Sequence, residues 1–435
     1  MRLSNPSPRI PGPFALPVLG GMLQLRNDPL ARVLALRARH GGFMRLGPLG
    51  RRDMYLVTDP AAARHVLLDN YKNYRKGLNA RRLRPILGSG SLLLEGEAWR
   101  RRRRLAQPAF HRQKIAGLAT SFVDATDQMI ERWGAHATID ARDEMLRLTM
   151  GLTLKNLFGS DASTLRELVE AWQTIYTSLG TRRLPWQRDD RVEAALATVR
   201  SILGARINAS KPDDGTVLSM LVQARDEHGA LTETELRDEV LTLFIGGYET
   251  SSNALAFSLA HIASYPAHAD RQYAEIARLE GRAPTVEDLP ALPYTRAILE
   301  ETLRLYPPSW MITREAIADD VVAGYAIRRG AQLLISSYGV HHAPELWPDP
   351  ERFRPERFVD AAERPRFTYF PFGGGPRICL GDQYALTEMQ LVLARISQKL
   401  QLALSPGTQI AAHAQIGLRP RQPLRLVARR RTEEN

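Results

Sequence analysis

Phe372-Gly373-Gly374-Gly375-Pro376-Arg377-Ile378-Cys379-Leu380-Gly381 is the stretch on which the reading of this chain turns. It closes a run from 343 to 376 rich in Pro and Gly, and a helical pattern follows it directly. Long irregular stretches inside a compact protein are usually functional. The glycines let the backbone turn sharply and lie flat against a planar ring. Cys379 stands just ahead of a helix start, where amides and dipole favour a thiolate over the free pKa of about 8.5. Gly381 removes a side chain where backbone must approach, and Arg377 can pair with a carboxylate of a ligand. Taken alone, a single cysteine is most often a small buried hydrophobe, and three glycines without a Walker pattern are weak evidence for a phosphate loop.

Working outward, the next informative segment is Gly246-Gly247-Tyr248-Glu249-Thr250-Ser251. It lies within a helical pattern that starts at the capping box Thr232-x-x-Glu235 and runs to Ser264, before Pro266. Some 30 residues make a helix of about 45 Å, enough to cross a domain. Two adjacent glycines inside it cost roughly 1 kcal/mol each against Ala, so they need a reason. They open a groove in which a ligand can press, and Thr250, one turn on, can bond the carbonyl four residues back. The plain alternative is close helix packing, with Glu249 solvated.

A second helix, Pro293–Leu305, carries Glu301-x-x-Arg304, which on its own is a surface ion pair worth at most about 1 kcal/mol. Pro355-Glu356-Arg357-Phe358 follows, shortly before the cysteine loop. Trp99 and Arg103 share a helical face inside Trp99-Arg100-Arg101-Arg102-Arg103-Arg104. That arginine run by itself points toward nucleic acid.

Together these motifs resemble the cytochrome P450 family. Phe-x-x-Gly-x-Arg-x-Cys-x-Gly matches its haem-ligand signature, in order with the other motifs and across nearly the whole chain. The resemblance implies haem b with Cys379 as axial thiolate and metal ligand, and with Trp99, Arg103, Arg314, Phe372 and Arg377 also holding the cofactor. Glu249 and Thr250 become the acid–alcohol pair that delivers protons during oxygen activation. Glu301, Arg304 and Arg357 become a structural triad. Family positions give a substrate pocket of Leu243, Phe244, Gly247, Trp310, Met311, Ile312, Thr313 and Ile416, with residues 77–93 as part of its roof. That lining is chiefly apolar, so the expected substrate is a neutral lipophile such as a terpenoid. A fatty acid held by Arg81, Arg82 or Arg84 is the alternative, and a peroxide-driven reaction is a nearer variant of the same chemistry.

Bulk composition bounds the rest. The chain has 435 residues, 44% hydrophobic, which is ample for a large core. One cysteine excludes an internal disulfide. The net charge is +12, and only six of 59 basic residues are Lys. Such a balance permits nucleic acid, anionic membrane or acidic protein partners without choosing among them. The arginines beyond Arg103 suggest a basic face on the cysteine side for a separate ferredoxin or flavodoxin-type electron donor. A non-enzymatic nucleic-acid binder leaves the cysteine loop and the paired glycines unexplained. The apolar stretch from Phe14 to Leu25 is broken by Pro17, Gly20 and Gly21 and is too short to span a bilayer, which reads as a cytoplasmic protein without a membrane anchor. Segments Phe43–Leu46 and Met54–Val57 suggest a hairpin, residues 97–305 are mainly helical, and short strands follow around Gly324 and Gly330 and again from 400 to 428. The expected fold is mainly α with small β-sheets, the cytochrome P450 fold around a buried haem, with residues 1–435 as a single domain.

Overall fold

Thr232 and Glu235 close a capping box at the head of the longest helix in the computed structural model, Glu233–Ser264, as their spacing predicts. The structure describes residues 10–15, 24–25, 27–49, 52–159, 165–180, 189–211, 215–359 and 364–431. The chain divides into two compact units.

The first unit spans Met1–Arg84, Glu301–Arg354 and Asp360–Cys379. Its frame is a five-stranded sheet of β1 (Phe43–Leu49), β2 (Arg52–Val57), β3 (Tyr74–Lys76), β4 (Ile312–Ala316) and β5 (Gln332–Ile335), in the order β1-β2-β5-β4-β3. The expected hairpin is β1–β2, bulged between Arg45 and Gly47; Gly50 and Arg51 at its turn lie outside the described residues. β5 joins β2 in parallel and β4 antiparallel. Alternating side chains from Tyr55, Val57, Leu333 and Ile335 bury one face with Val66, Tyr74 and Phe370.

The second unit spans Pro85–Glu300, Pro355–Val359 and Leu380–Asn435 and is mostly helical. The helices that matter below are α1 (Gly96–Ala106), α2 (Ala141–Phe158), α3 (Leu165–Gly180) and α4, the capped Glu233–Ser264 helix. α5 (Pro293–Leu305) passes into the first unit at Glu301, and α6 (Asp382–Lys399) follows the cysteine loop. α4 packs chiefly against α2. A three-stranded sheet pairs Leu400–Leu404 and His136–Asp140 with the central Arg425–Arg430 strand. Among the described residues no helix is long and apolar enough to cross a membrane.

Candidate active site

In the first unit the cysteine loop is held by its own backbone. Cys379 N–H donates to Phe372 O and Ile378 N–H to Gly375 O, each at 3.0 Å. Gly373 and Gly375 have φ of 75° and 68°, the left-handed region where a side chain is strained. A Cβ on Gly375 would lie 1.9 Å from Leu67 O, and one on Gly374 would lie 2.4 Å from the Phe367 ring. Gly374 and Gly375 thus also make room for protein atoms, while the φ values of Gly373 and Gly375 supply the sharp turn that the sequence suggests. The Cys379 thiol is exposed, and so is Ile378 beside it. A small buried hydrophobe is thus not the role of Cys379.

The loop is fixed at its start by His341, fully buried, whose Nε2 accepts from Phe370 N–H at 3.0 Å. Burial holds that imidazole well below its ordinary pKa, so the ring is neutral and free to accept. Arg304 works on the same segment. Its guanidinium grips both Glu301 oxygens at 2.6 and 2.8 Å, donates to His341 O and Pro350 O at 2.8 Å, and reaches Arg352 O. Both Glu301 and Arg304 are 0% exposed, so the pair is no surface ion pair. Arg357, read as the third member, is buried in the second unit. Arg314 is buried on β4 and donates to Thr313 O at 3.0 Å. Trp310 is buried, whereas Met311, Ile312, Thr313, Phe372 and Arg377 are each partly exposed.

In the second unit α4 is buried on all sides from Ser251 to Ile262, yet Gly246 and Thr250 are exposed. Thr250 Oγ1 donates to Gly246 O at 3.0 Å, as its spacing suggests. A Cβ on Gly246 would meet nothing within 4 Å, but one on Gly247 would press on Thr153 of α2 at 3.3 Å. Gly247 is therefore the glycine at which α4 packs on α2, and it stays partly exposed. Phe244 is fully buried, tilted against Tyr248 and Phe158 with ring centroids at 5.1 and 6.5 Å. Leu243 stays half-buried on the open side, and Ile416 is exposed at the tip of the Ala412–Ala414/Leu418–Pro420 hairpin. Glu249 Oε2 accepts from the indole N–H of Trp172 on α3 at 3.1 Å.

Trp99 is buried on α1, and Arg103, one turn on, is partly exposed. The other arginines of the run divide. Arg101 holds Asp226 through two guanidinium nitrogens, and Arg102, buried, pairs with Glu235 at 3.0 Å and Glu239 at 3.5 Å. Only Arg100 and Arg104 remain well exposed, beside Glu97 and Glu227. The sequence suggests at least three outward guanidiniums besides Arg103; in the structure Arg100, bonded to Glu97 at 2.7 Å, and Arg104 are the well-exposed ones. Arg84 is exposed, while the Arg81 and Arg82 side chains lie outside the described residues.

One group escaped the sequence reading. Glu388 on α6 is completely buried, and burial pushes its pKa up to about 8, with the nearby Ser251 hydroxyl acting in the opposite direction. Tyr384, one turn back, accepts from Asn156 Nδ2 at 3.1 Å. The signal was present: Tyr384, Glu388 and Leu391 share one helical stripe, so a carboxyl falls on the core face.

The residues fit a haem. The sole thiol of the chain is exposed on a backbone-locked loop with an apolar neighbour, as a soft metal ligand for a hydrophobic macrocycle requires. Comparison with known proteins agrees. A family model for cytochrome P450 matches residues 10–187 and 186–425. Cyclooctat-9-en-7-ol 5-monooxygenase of Streptomyces melanosporofaciens is 37% identical, covering 92% of this chain and 90% of that protein. Carotene epsilon-monooxygenase of Arabidopsis thaliana is 31% identical, covering 91% and 79%. A retinoic acid-bound cyanobacterial P450 structure superposes with a TM-score of 0.89 at 26% identity, covering 98% of this chain and 100% of that one.

Proposed function

This chain belongs to the cytochrome P450 family, and from that premise we propose that it hydroxylates a neutral cyclic terpenoid, with Cys379 as the axial thiolate of its haem b. It is a monooxygenase, and the family model runs across both units, so residues 1–435 are taken as one catalytic domain. The observation that carries the substrate class is the likeness, over nine-tenths of the chain, to an enzyme named for oxidising a cyclic alkenol. The carotene monooxygenase supports the same class.

When bound, haem supplies the redox-active iron at which dioxygen is reduced and split, with a thiolate ligand favouring that cleavage. The chain's residues supply the rest. Cys379, held by Phe372 O and the left-handed glycines, offers the thiolate. Trp99, Arg103, Arg314 and Arg377 offer N–H donors for the cofactor's carboxylates, and arginine suits that role because its fork meets a carboxylate bidentately. Thr250 and Glu249 stand where α4 is open and pass protons there. Leu243, Met311, Ile312, Thr313 and Ile416 provide apolar surface for the substrate. Electrons come from a separate ferredoxin or flavodoxin-type donor.

A lipophilic acid is the second reading, favoured by the retinoic acid in the superposed structure. The two separate in one experiment. Cyclooctat-9-en-7-ol and retinoic acid are titrated into the holoenzyme at low and high salt, and binding is read from the haem absorption shift. The terpenoid reading expects the alkenol to bind with little salt dependence. Binding of the acid alone, weakening as salt rises, would overturn it. In Cys379→Ser the reduced carbon-monoxide spectrum of a thiolate-ligated haem should vanish; its survival would remove Cys379 from the ligand position.

A further inference from the structure

Glu249 sits half-buried in the middle of α4, on the turn where that helix is open. Its backbone carbonyl already accepts from Ser252 Oγ and Asn253 Nδ2, both at 2.9 Å, so the main chain around it is fixed. The carboxylate is held from another helix. Trp172, on the buried stripe Leu168, Trp172 and Ile175 of α3, points its indole N–H at Glu249 Oε2, 3.1 Å away. The indole is itself wedged. Its ring stands edge-on to Tyr248, with centroids 6.0 Å apart and planes at 86°, and Tyr248 is fully buried with its carbonyl taken by Thr149 Oγ1 at 2.9 Å. Buried tryptophan N–H groups normally find an acceptor, and here the acceptor is the acid itself.

We propose that Trp172 is a positioning residue for Glu249, fixing one carboxylate oxygen and with it the orientation of the acid beside the open turn at Gly246 and Thr250. This inference rests on the reading of Glu249 as the proton-delivering acid. The chemistry of the donor matters. An indole N–H carries no charge and does not titrate, and it offers one bond in one direction. An arginine or lysine in its place would bring a full positive charge and compete for the carboxylate's proton-accepting role. The indole's own contribution is orientation without added charge. The bond also ties the acid to α3, so the carboxylate's direction follows the position of that helix. Rotation of the side chain away from Thr250 is what the indole prevents.

The test has two arms, each on the holoenzyme. In the first, the protein is labelled with 15N at its indoles, and the Trp172 resonance is assigned by its loss in Trp172→Phe. Glu249→Gln should move that resonance more than any other indole; an unmoved signal would mean that the bond is absent. In the second, hydrogen peroxide released per reduced nicotinamide is measured with surrogate redox partners and cyclooctat-9-en-7-ol as probe. A two-electron donor yields at most one peroxide, so the ratio is read with a probe that the parent protein oxidises, where it starts well below that ceiling. Trp172→Phe keeps a ring against Tyr248 but lacks the N–H. It should raise the ratio several-fold at unchanged haem content and melting temperature, and add nothing in a Glu249→Gln background. If Glu249→Gln raises the ratio and Trp172→Phe does not, the inference fails and the reading of Glu249 stands. If neither variant changes it, the reading of Glu249 fails.

Discussion

Arg304 in the first unit and the Arg100–Arg104 run in the second present opposite faces of one residue type. From the sequence, Arg304 belongs to an ordinary i,i+3 pair, and the run of five promises an interaction surface. The structure reverses the emphasis. Arg304 is sealed from water with donors satisfied by Glu301 and three backbone carbonyls, whereas the run is split between inward and outward members. Arg101 and Arg102 are consumed by Asp226, Glu235 and Glu239, acids that lie more than a hundred residues further along the chain. The difference teaches that arginine density marks a docking surface only when the fold supplies no acceptors of its own.

The comparison breaks most visibly at Arg304. Lysine cannot reproduce a planar fork that serves a carboxylate and three carbonyls at once. Arg304→Lys should therefore cost about 3–5 kcal/mol, a large part of the stability of a typical domain, and leave little folded holoprotein. A denaturant midpoint unchanged in Arg304→Lys would reduce the pair to a surface contact.

Glu388 sharpens the comparison from the other side, as a buried charge-bearing group that burial keeps protonated. Its folded pKa of about 8 lies above the ordinary 4.5, so its contribution to stability is complete below pH 4.5 and lost as pH rises through 8. Glu388→Gln should match the parent protein near pH 5 and exceed it by roughly a few kcal/mol at pH 8. Thermal unfolding across that range checks the slope, and a constant difference would mean that the carboxyl does not titrate there.

Arg102→Ala ranks next. It strips Glu239 of its guanidinium, but Glu239 keeps both Ser91 donors, and burial already raises its pKa, so protonation softens the loss. About 2 kcal/mol is expected by chemical denaturation, with part recovered in Arg102→Ala/Glu239→Gln. The smallest effect on the fold belongs to Arg100→Glu and Arg104→Glu. Melting temperature and haem content should not move, while reduction by an acidic ferredoxin slows and loses its dependence on ionic strength. Reduction rates that ignore both substitutions would place the donor elsewhere.

What the sequence made legible was local. The capping box at Thr232, the α5 boundaries, the β1–β2 hairpin and the Thr250 back-bond are decided by residues within a few positions of one another. Gly246 and Gly247 show where that reach ends. Both are glycines in one helix, and which of them faces open space depends on Thr153, distant in sequence. Phe244 shows both reaches at once, since Tyr248 lies one turn on in the same helix and Phe158 on another. Trp172 gave no signal at all, because a tryptophan on an apolar stripe reads as core.

The bond from Thr250 to Gly246 has a chemical polarity. A hydroxyl owns a single proton, and here it is directed inward at the helix carbonyl. While that bond is made Thr250 shows lone pairs toward the open side, and passing a proton outward requires the hydroxyl to swing off the carbonyl. Whatever settles against that turn must arrive bearing its own hydrogen, so a water or a protonated reaction partner is welcomed and a bare carbonyl or ether oxygen is not. Serine would keep this directionality at the expense of a methyl group, and valine would keep the shape while erasing the acceptor. The turn thus selects its guests by which end of a hydrogen bond they can offer.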